Sequence, residues 1–499
     1  FIGMAEPAPA VCVHDQPPVD ARQADTAGVP LEEKLLDGED AAPVTGMEVM
    51  GDDEMAQGEG ELAHRKTVPD TPIPLSAFHI FKGNVGIGLF LLPTVYNDMG
   101  YVLSPFVAIP AGVMIIDCMQ MLLNSKMSIG RSKVGTYSEV GEFVFGSIMR
   151  IMVNVALVMT QLSFCLMYMQ SAGTIFSEIA VFDGSYKVFV AIQLLFVMPF
   201  TFMTHNLKLL AGASATASFL VWFAVIGTVV YFAQQIHDQG GRAPSTSASG
   251  EVAKWPLFIC SNIFALEGIG VILPVENATG QRDKPRLPRM VQMTMFAIIS
   301  LYLFYGMLGY LAYGCNLTNT SVTVLPTTVF GNIVRCSLAF NLLLTYPIQF
   351  VPAIQIIDKA MGVAAERTGG KSKKATLVRV GINVFLAILA MLLGGDALEL
   401  VLSFVGATAA VFLAAILPAL LGLHTSYAVE NAEIPREGKS YYKAMLTLQP
   451  RPLYRAKCFL YLGVGLVIFL IGTATCLIDT ASVINRKTHR GGAAQNSTA

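Results

Sequence analysis

The chain has 499 residues; 54% are hydrophobic and 14% charged, and 33 basic against 35 acidic side chains leave a net charge of −2. That composition is far from the soluble average, and its apolar runs of about twenty residues are long enough to cross a bilayer. The near-neutral balance argues against nucleic acid as a partner, and eight cysteines without paired spacing argue against a metal centre or a disulfide framework.

Residues 1–70 read as a separate acidic region, with clusters at Glu32-Glu33, Asp37-Gly38-Glu39-Asp40 and Asp52-Asp53-Glu54. Such a segment buries too little apolar surface to fold and is expected to be a disordered tail, available to a cytosolic partner. The chain opens on Phe1 rather than methionine, so the true N-terminus is expected to be missing.

Eleven transmembrane helices are predicted, numbered as spans 1 to 11, at about 73–97, 102–124, 147–176, 186–203, 207–233, 255–275, 289–313, 330–357, 375–393, 397–422 and 456–478. They define an all-α integral membrane domain over residues 71–480, with a short outer tail over 481–499. Basic residues crowd one set of loops, among them Lys126, Arg131, Lys133, Arg282, Lys284, Arg286, Lys359, Lys371 and Arg436; the opposite set holds Lys187, Arg242, Lys254, Arg486, Lys487 and Arg490. The positive-inside rule places the first set and the N-terminus in the cytoplasm. The loop after span 7 then faces out and offers Asn316 and Asn319 as glycosylation sites. Asn496 lies in the outer tail, whereas Asn277 faces inward and should stay unmodified.

Span 1 contains Gly83-Asn84-Val85-Gly86-Ile87-Gly88. Each glycine in a helix interior costs about 1 kcal/mol relative to alanine. The expectation is a lower half-helix to Lys82, an unwound turn, and an upper half-helix from about Leu89. Span 6 repeats the pattern: Gly268-Ile269-Gly270-Val271-Ile272-Leu273-Pro274 echoes Gly86-Ile87-Gly88 through Leu92-Pro93. Unwound backbone at membrane depth persists only where it lines a protein cavity, and two Gly/Pro-interrupted spans in matching halves point to a transporter's binding site. The competing reading makes these glycines close-packing surfaces between intact helices.

At these positions the sequence becomes specific. His79-Ile80-Phe81-Lys82-Gly83-Asn84-Val85-Gly86 resembles the first helix of the amino acid/auxin permease family, especially its proton-coupled amino acid transporter branch. Phe264-Ala265-Leu266-Glu267-Gly268-Ile269-Gly270 is similar to that branch's sixth helix, Thr160-Gln161-Leu162-Ser163-Phe164-Cys165 to its third, and Thr345-Tyr346-Pro347-Ile348-Gln349-Phe350 to its eighth. The resemblance covers residues 72 to 480. It implies a leucine-transporter-like 5+5 inverted repeat with helices 1 and 6 unwound, amino-acid transport driven by a cation gradient, and a proton-coupling histidine at His79. The chain departs from the branch at Cys315, the one cysteine in the predicted outer loops, which leaves an external disulfide without a second partner.

The residues support a binding chemistry of their own. The breaks lie roughly 15 Å from the helix ends at about 1.5 Å per residue, near the bilayer centre. Free N–H groups at the start of the upper half of span 1 should hold a carboxylate. Carbonyls near Lys82 to Asn84 and Phe264 to Glu267 should accept from an ammonium, with Gly83, Val85, Gly86, Gly88 and Gly268 allowing close approach of the backbone. Asn84, Phe264, Thr160, Ser163 and Thr345 complete the candidate pocket, shaped by spans 3, 6 and 8. For coupling, His79 and Glu267 are the candidates. Each also admits a structural reading: His79 as a hydrogen-bonded interior histidine, and Glu267 as a carboxylate capping the break or pairing with Lys82. Asp117 in span 2 reads as a bridge between helices.

These features together point to a secondary active transporter of small neutral amino acids, coupled to protons. It needs no cofactor beyond the co-transported cation, and it sits in the plasma membrane or a vacuolar or lysosomal membrane. No catalytic nucleophile or phosphate-cradling lysine loop suggests an enzyme. Two alternatives stand beside it: sodium coupling through span 1 carbonyls and Thr345, and an amino-acid sensor signalling through its acidic tail.

Overall fold

The computed structural model describes residues 71–129, 134–179, 185–202, 207–280, 282–317, 320–362, 373–393, 398–430 and 451–496. The acidic region expected over residues 1–70 and the candidate glycosylation site Asn319 lie outside them. The described residues contain helices and no strand, apart from one isolated bridge between Thr71 and Thr279.

The first crossing is interrupted. Helices α1 (Ile73–Asn84) and α2 (Ile87–Met99) meet at a 49° bend. Then come α3 (Leu103–Ile129), a short α4 (Tyr137–Phe145), α5 (Ser147–Ser177), α6 (Tyr186–Phe202) and α7 (Leu207–Asp238). The second interrupted crossing is α8 (Trp255–Ala265) and α9 (Ile269–Ala278). Helices α10 (Leu287–Tyr313), α11 (Val329–Ala360) and α12 (Lys373–Leu393) follow. The tenth predicted span is α13 (Leu398–Val405), two π-helical segments (Gly406–Ala410 and Phe412–Ile416) and α14 (Leu417–Glu430). The last helix, α15 (Arg451–Asn496), runs well past the expected end near residue 478 and through the segment read as an outer tail. No glycine or proline lies between Ile478 and Arg490 to stop it.

Local chemistry accounts for several boundaries. Proline in the first turn starts α1, α8 and α10, where its missing N–H has no helical partner to lose. Helix α4, absent from the predicted spans, has a capping box. The Thr136 hydroxyl accepts from the Glu139 N–H at 3.3 Å, and the Glu139 carboxylate accepts from the Thr136 N–H at 2.9 Å. Gly146, at φ 83°, ends α4 and opens α5.

Among the described residues, nine helices are long and apolar enough to cross a membrane, and the bent α1–α2 pair makes a tenth. Helix α6 is described over 17 residues, Tyr186–Phe202, and residues 203–206 after it lie outside the described ones. The eleventh crossing predicted from the sequence is not among these ten.

The two broken crossings hold each other's ends. Gly250, just before α8, donates its N–H to the Met99 carbonyl at 2.9 Å, while Tyr101 and Val102 donate to Ser247 and Ala248. At the opposite face Thr71, just before α1, donates to the Ala278 carbonyl at 2.9 Å. This reciprocal clamp is the relation expected of two halves inverted with respect to one another. Burial agrees with the arrangement. The α8–α9 crossing and the crossing built on α13 and α14 are each 78% buried over their most apolar windows, against 17% for α15. The broken crossing is central and α15 peripheral.

Charges are buried where helices end. The Lys126 ammonium on α3 donates to the Glu276 carboxylate and to Asn277 at the end of α9, and Lys284 stands 3.4 Å from the same carboxylate. Lys126 and Glu276 side chains are 1% and 2% exposed. Asn277 also donates to the Gly135 carbonyl at 2.8 Å, which ties the loop before α4 into the cluster. Asp117 on α3 accepts from Tyr461 at 2.7 Å and pairs with Lys457 at 3.1 Å on α15, the bridging role expected of it. Cys315 is an exposed free thiol.

Candidate binding cavity at the broken helices

Helical hydrogen bonding lapses at Val85–Gly86 in the first crossing and at Leu266–Gly268 in the second, and the two lapses face each other. A Cβ on Gly268 would collide with the Asn84 side chain. A Cβ on Gly88 would stand 3.1 Å from Ala265 Cα, and one on Gly83 would stand 3.1 Å from a Val271 methyl. These three glycines let the crossings pack closely, Gly88 against the Ala265 backbone and Gly83 and Gly268 against side chains of the other crossing. Gly86 differs: its missing side chain leaves space toward the Tyr168 hydroxyl, 3.3 Å from where a Cβ would lie. The helices are broken, which departs from the reading of intact helices, and Gly83, Gly88 and Gly268 also serve close packing between the two crossings.

A cavity, open at its mouth, lies against the first break. Gly83, Asn84, Val85, Gly86, Gly88 and Thr345, all expected there, line it. The remaining wall comes from Phe78, Phe81 and Lys82 on α1, Phe164 and Tyr168 on α5, Ser218, Val221 and Trp222 on α7, Ala265 on α8, and Asn341 and Gln349 on α11. The contribution of α7 is not among the sequence-based expectations. A signal is nonetheless present: Ser214, Ser218 and Trp222 recur every four residues, as do Asn341, Thr345 and Gln349 on α11 and Phe164 with Tyr168 on α5. That spacing puts each set on one helix face.

The wall is partly tied and partly open to new bonds. The start of α2 has no side-chain cap and no acidic residue in its first turn; the Leu89 N–H donates to the Gly86 carbonyl at 3.2 Å, and the Ile87 and Gly88 N–H groups remain available to an anion. The Asn84 amide donates to the Ile80 carbonyl at 2.8 Å, and its Oδ1 is buried without a partner among the described residues. That oxygen is an acceptor suited to an ammonium. The Asn84 carbonyl already accepts from Tyr302 at 2.7 Å, and the Phe264 carbonyl from the Glu267 N–H at 3.0 Å. The Asn84 carbonyl keeps a second lone pair, whereas the Phe264 carbonyl also accepts from the Leu266 N–H. Thr345 donates to Asn341 at 3.3 Å, and Gln349 to the Tyr168 hydroxyl at 3.4 Å.

Other expected residues fall elsewhere. Phe264 is fully buried behind the wall, stacked on Phe164 with ring centroids 4.6 Å apart. Thr160 is buried and turned back on the Leu157 carbonyl at 3.0 Å. Ser163 and Gly268 do not line the cavity. His79 stands on an exposed face of α1, edge-on to Phe78 at 6.3 Å, also outside it. Glu267 is buried at the second break, within electrostatic reach of Tyr137 on α4, and forms no ion pair among the described residues. The expected Lys82–Glu267 pairing is not formed. Lys82 reaches the other way, its ammonium donating to the carbonyl and hydroxyl of Ser214 on α7. One turn of α1 carries both Lys82 and Phe81 onto α7, Lys82 to Ser214 and Phe81 to Trp222, stacked at 5.4 Å.

Comparison with known proteins bears on what binds here. The family model described as transmembrane amino acid transporter protein matches residues 72–434. Vacuolar amino acid transporter 3 of Schizosaccharomyces pombe is 27% identical over 352 residues, covering 68% of this chain and 52% of that protein. Vacuolar amino acid transporter 4 of Saccharomyces cerevisiae is 27% identical over 326 residues, covering 62% and 45%. Amino acid transporter AVT3A of Arabidopsis thaliana is 25% identical over 358 residues, covering 70% and 81%. The chain spans about half the length of these two fungal relatives. The family and these relatives are described as transporters, not enzymes.

Proposed function

Since this chain belongs to the transmembrane amino acid transporter family, we propose that it is a secondary active carrier of small neutral amino acids, coupled to protons, in a vacuolar-type membrane. The observation that carries the reading is the cavity at the first break, where a zwitterion finds both of its partners. Its carboxylate meets the uncapped start of α2, and its ammonium meets the unpartnered Asn84 Oδ1. Among the described residues no carboxylate lines the cavity and Lys82 does, which favours neutral over cationic side chains because a second positive charge would lie close to the first in a low-dielectric site. The rings of Phe164 and Trp222 limit side-chain size. The vacuolar placement follows the names of the relatives.

The test is uptake of labelled alanine by the purified protein in liposomes, with a proton or a sodium gradient imposed separately. Accumulation with the proton gradient alone is the expected result. Accumulation with sodium alone replaces proton coupling by the sodium alternative, and no alanine flux under either gradient removes the carrier reading.

A further inference from the structure

We propose that Lys82 carries the coupled proton, its side chain gaining and losing one proton in each cycle and so linking protonation to the grip of α1 on α7. The inference rests on the carrier reading above and adds the residue through which coupling acts.

Position is the first argument. Lys82 is the one charged side chain among the described residues that line the cavity, whereas His79 and Glu267 do not line it. An ionisable group at membrane depth facing a cavity marks an ion or substrate pathway, and a lysine amine changes protonation readily once it is partly removed from water.

The bonding is the second. The Lys82 ammonium joins the half-helix α1 to Ser214 of α7. Its acceptors are neutral, so no carboxylate holds the proton in place. Ser218 also donates to the Ser214 carbonyl, at 2.9 Å, which leaves that half-buried carbonyl satisfied when the lysine withdraws. The groups that share the cavity with Lys82 or pack beside it are uncharged or able to be neutral: Tyr168 on α5, Ser214 and Ser218 on α7, Ala265 on α8, Val271 on α9, Tyr302 on α10, and Asn341 and Thr345 on α11. On its own helix the nearest titratable group is His79.

Location on the helix is the third. Lys82 lies in the last turn of α1, where a positive charge is favoured by the helix dipole. Only Val85–Gly86 joins α1 to α2, so α1 can swing about that point. When the ammonium releases its proton to cavity water, the nitrogen keeps the electron pair and becomes a neutral amine. The charge-assisted bond to Ser214, about twice as strong as a neutral one, and the dipole interaction are lost together. Reprotonation restores both, and no other bond forms or breaks.

The experiment uses the full chain in liposomes and labelled alanine as probe. It reads two quantities for each variant: counterflow without a gradient, and accumulation driven by an imposed pH gradient. For Lys82→Met the ratio of accumulation to counterflow is expected to fall at least about tenfold, with a flattened pH profile of uptake. Lys82→Arg keeps a permanent positive charge to meet Ser214 and is expected to lose the ratio as well, which a purely structural tie would not do. Should Lys82→Met fail to reach the membrane, Lys82→Arg carries the same test. His79→Gln and Glu267→Gln are expected to keep the wild-type ratio. A wild-type ratio in Lys82→Arg overturns the proposal. So does a raised half-saturation concentration in counterflow with the ratio retained, which would make Lys82 a ligand of the substrate carboxylate. Absence of alanine flux in the wild-type protein is a separate outcome that removes the carrier reading and this proposal with it.

Discussion

The Asn84 side chain occupies the space that any side chain at Gly268 would need, and so the two interrupted crossings are fitted to each other at a single amide. Gly268→Ala is therefore expected to force the breaks apart. Overpacking of this kind costs about 1–3 kcal/mol, read as a lower Tm in detergent together with loss of alanine uptake. Asn84→Ala in the same chain should recover most of the Tm without recovering uptake, because it clears the collision but removes the ammonium acceptor. Equal Tm for Gly268→Ala and the parent would show that the crossings have slack at this point.

The Lys126–Glu276–Lys284 cluster provides a second prediction. Glu276→Gln leaves two lysines facing each other beside Asn277, one of them almost fully buried. Removing one partner of a buried pair costs about 3–5 kcal/mol, whereas apolar replacement of both is far milder. Glu276→Gln should therefore unfold at markedly lower temperature than the Lys126→Met, Glu276→Met double variant, measured side by side in one detergent.

Trp222 stacks on Phe81 and closes one side of the cavity. Trp222→Ala should admit larger side chains. In a competition assay against labelled alanine, leucine and phenylalanine should gain on glycine by about 10-fold, the scale set by a few methylenes in an apolar pocket. An unchanged order of competitors would put the substrate side chain against another wall.

Glu139 lies on α4, outside the crossings. Burial works against its charge, but hydrogen bonds from the Gly135 and Thr136 N–H groups, and then nearby Lys359, hold its carboxyl below the usual range. A carboxyl lowered in the folded state stabilises α4 above its unfolded pKa of about 4.3, and that contribution fades as pH falls through the folded value. At neutral pH, Glu139→Gln should speed hydrogen exchange over residues 137–145. As pH falls through that lowered value, parent and variant should converge once exchange is corrected for its intrinsic pH dependence. A constant difference between them at all pH values would assign the effect to packing.

The membrane class and both interruptions are legible in the amino-acid sequence, because each is a local property. An apolar run of about twenty residues has few alternatives to a crossing, and closely spaced glycines weaken helical bonding wherever they occur. The matched Gly-Ile-Gly motifs even pair the two breaks, and Thr345 falls on the cavity as expected. Helix α4 escapes a reading by apolar runs because its nine residues are too few for a crossing, although its capping box, Thr136 with Glu139, is written in the sequence. The short α6 enters the predicted crossings on apolarity alone.

What the sequence by itself determined is where the backbone must leave the helix and that this happens twice, since those costs are settled within a few residues. Only the tertiary structure decided which faces look into the resulting space. Helix rotation and depth are set by packing against neighbours, so α7 supplies Ser218 and Trp222, Phe264 is turned behind the wall, and Glu267 is left outside it. The same packing directs Lys82 to Ser214 rather than to Glu267, a choice between partners 132 and 185 residues away along the chain that no local rule can make.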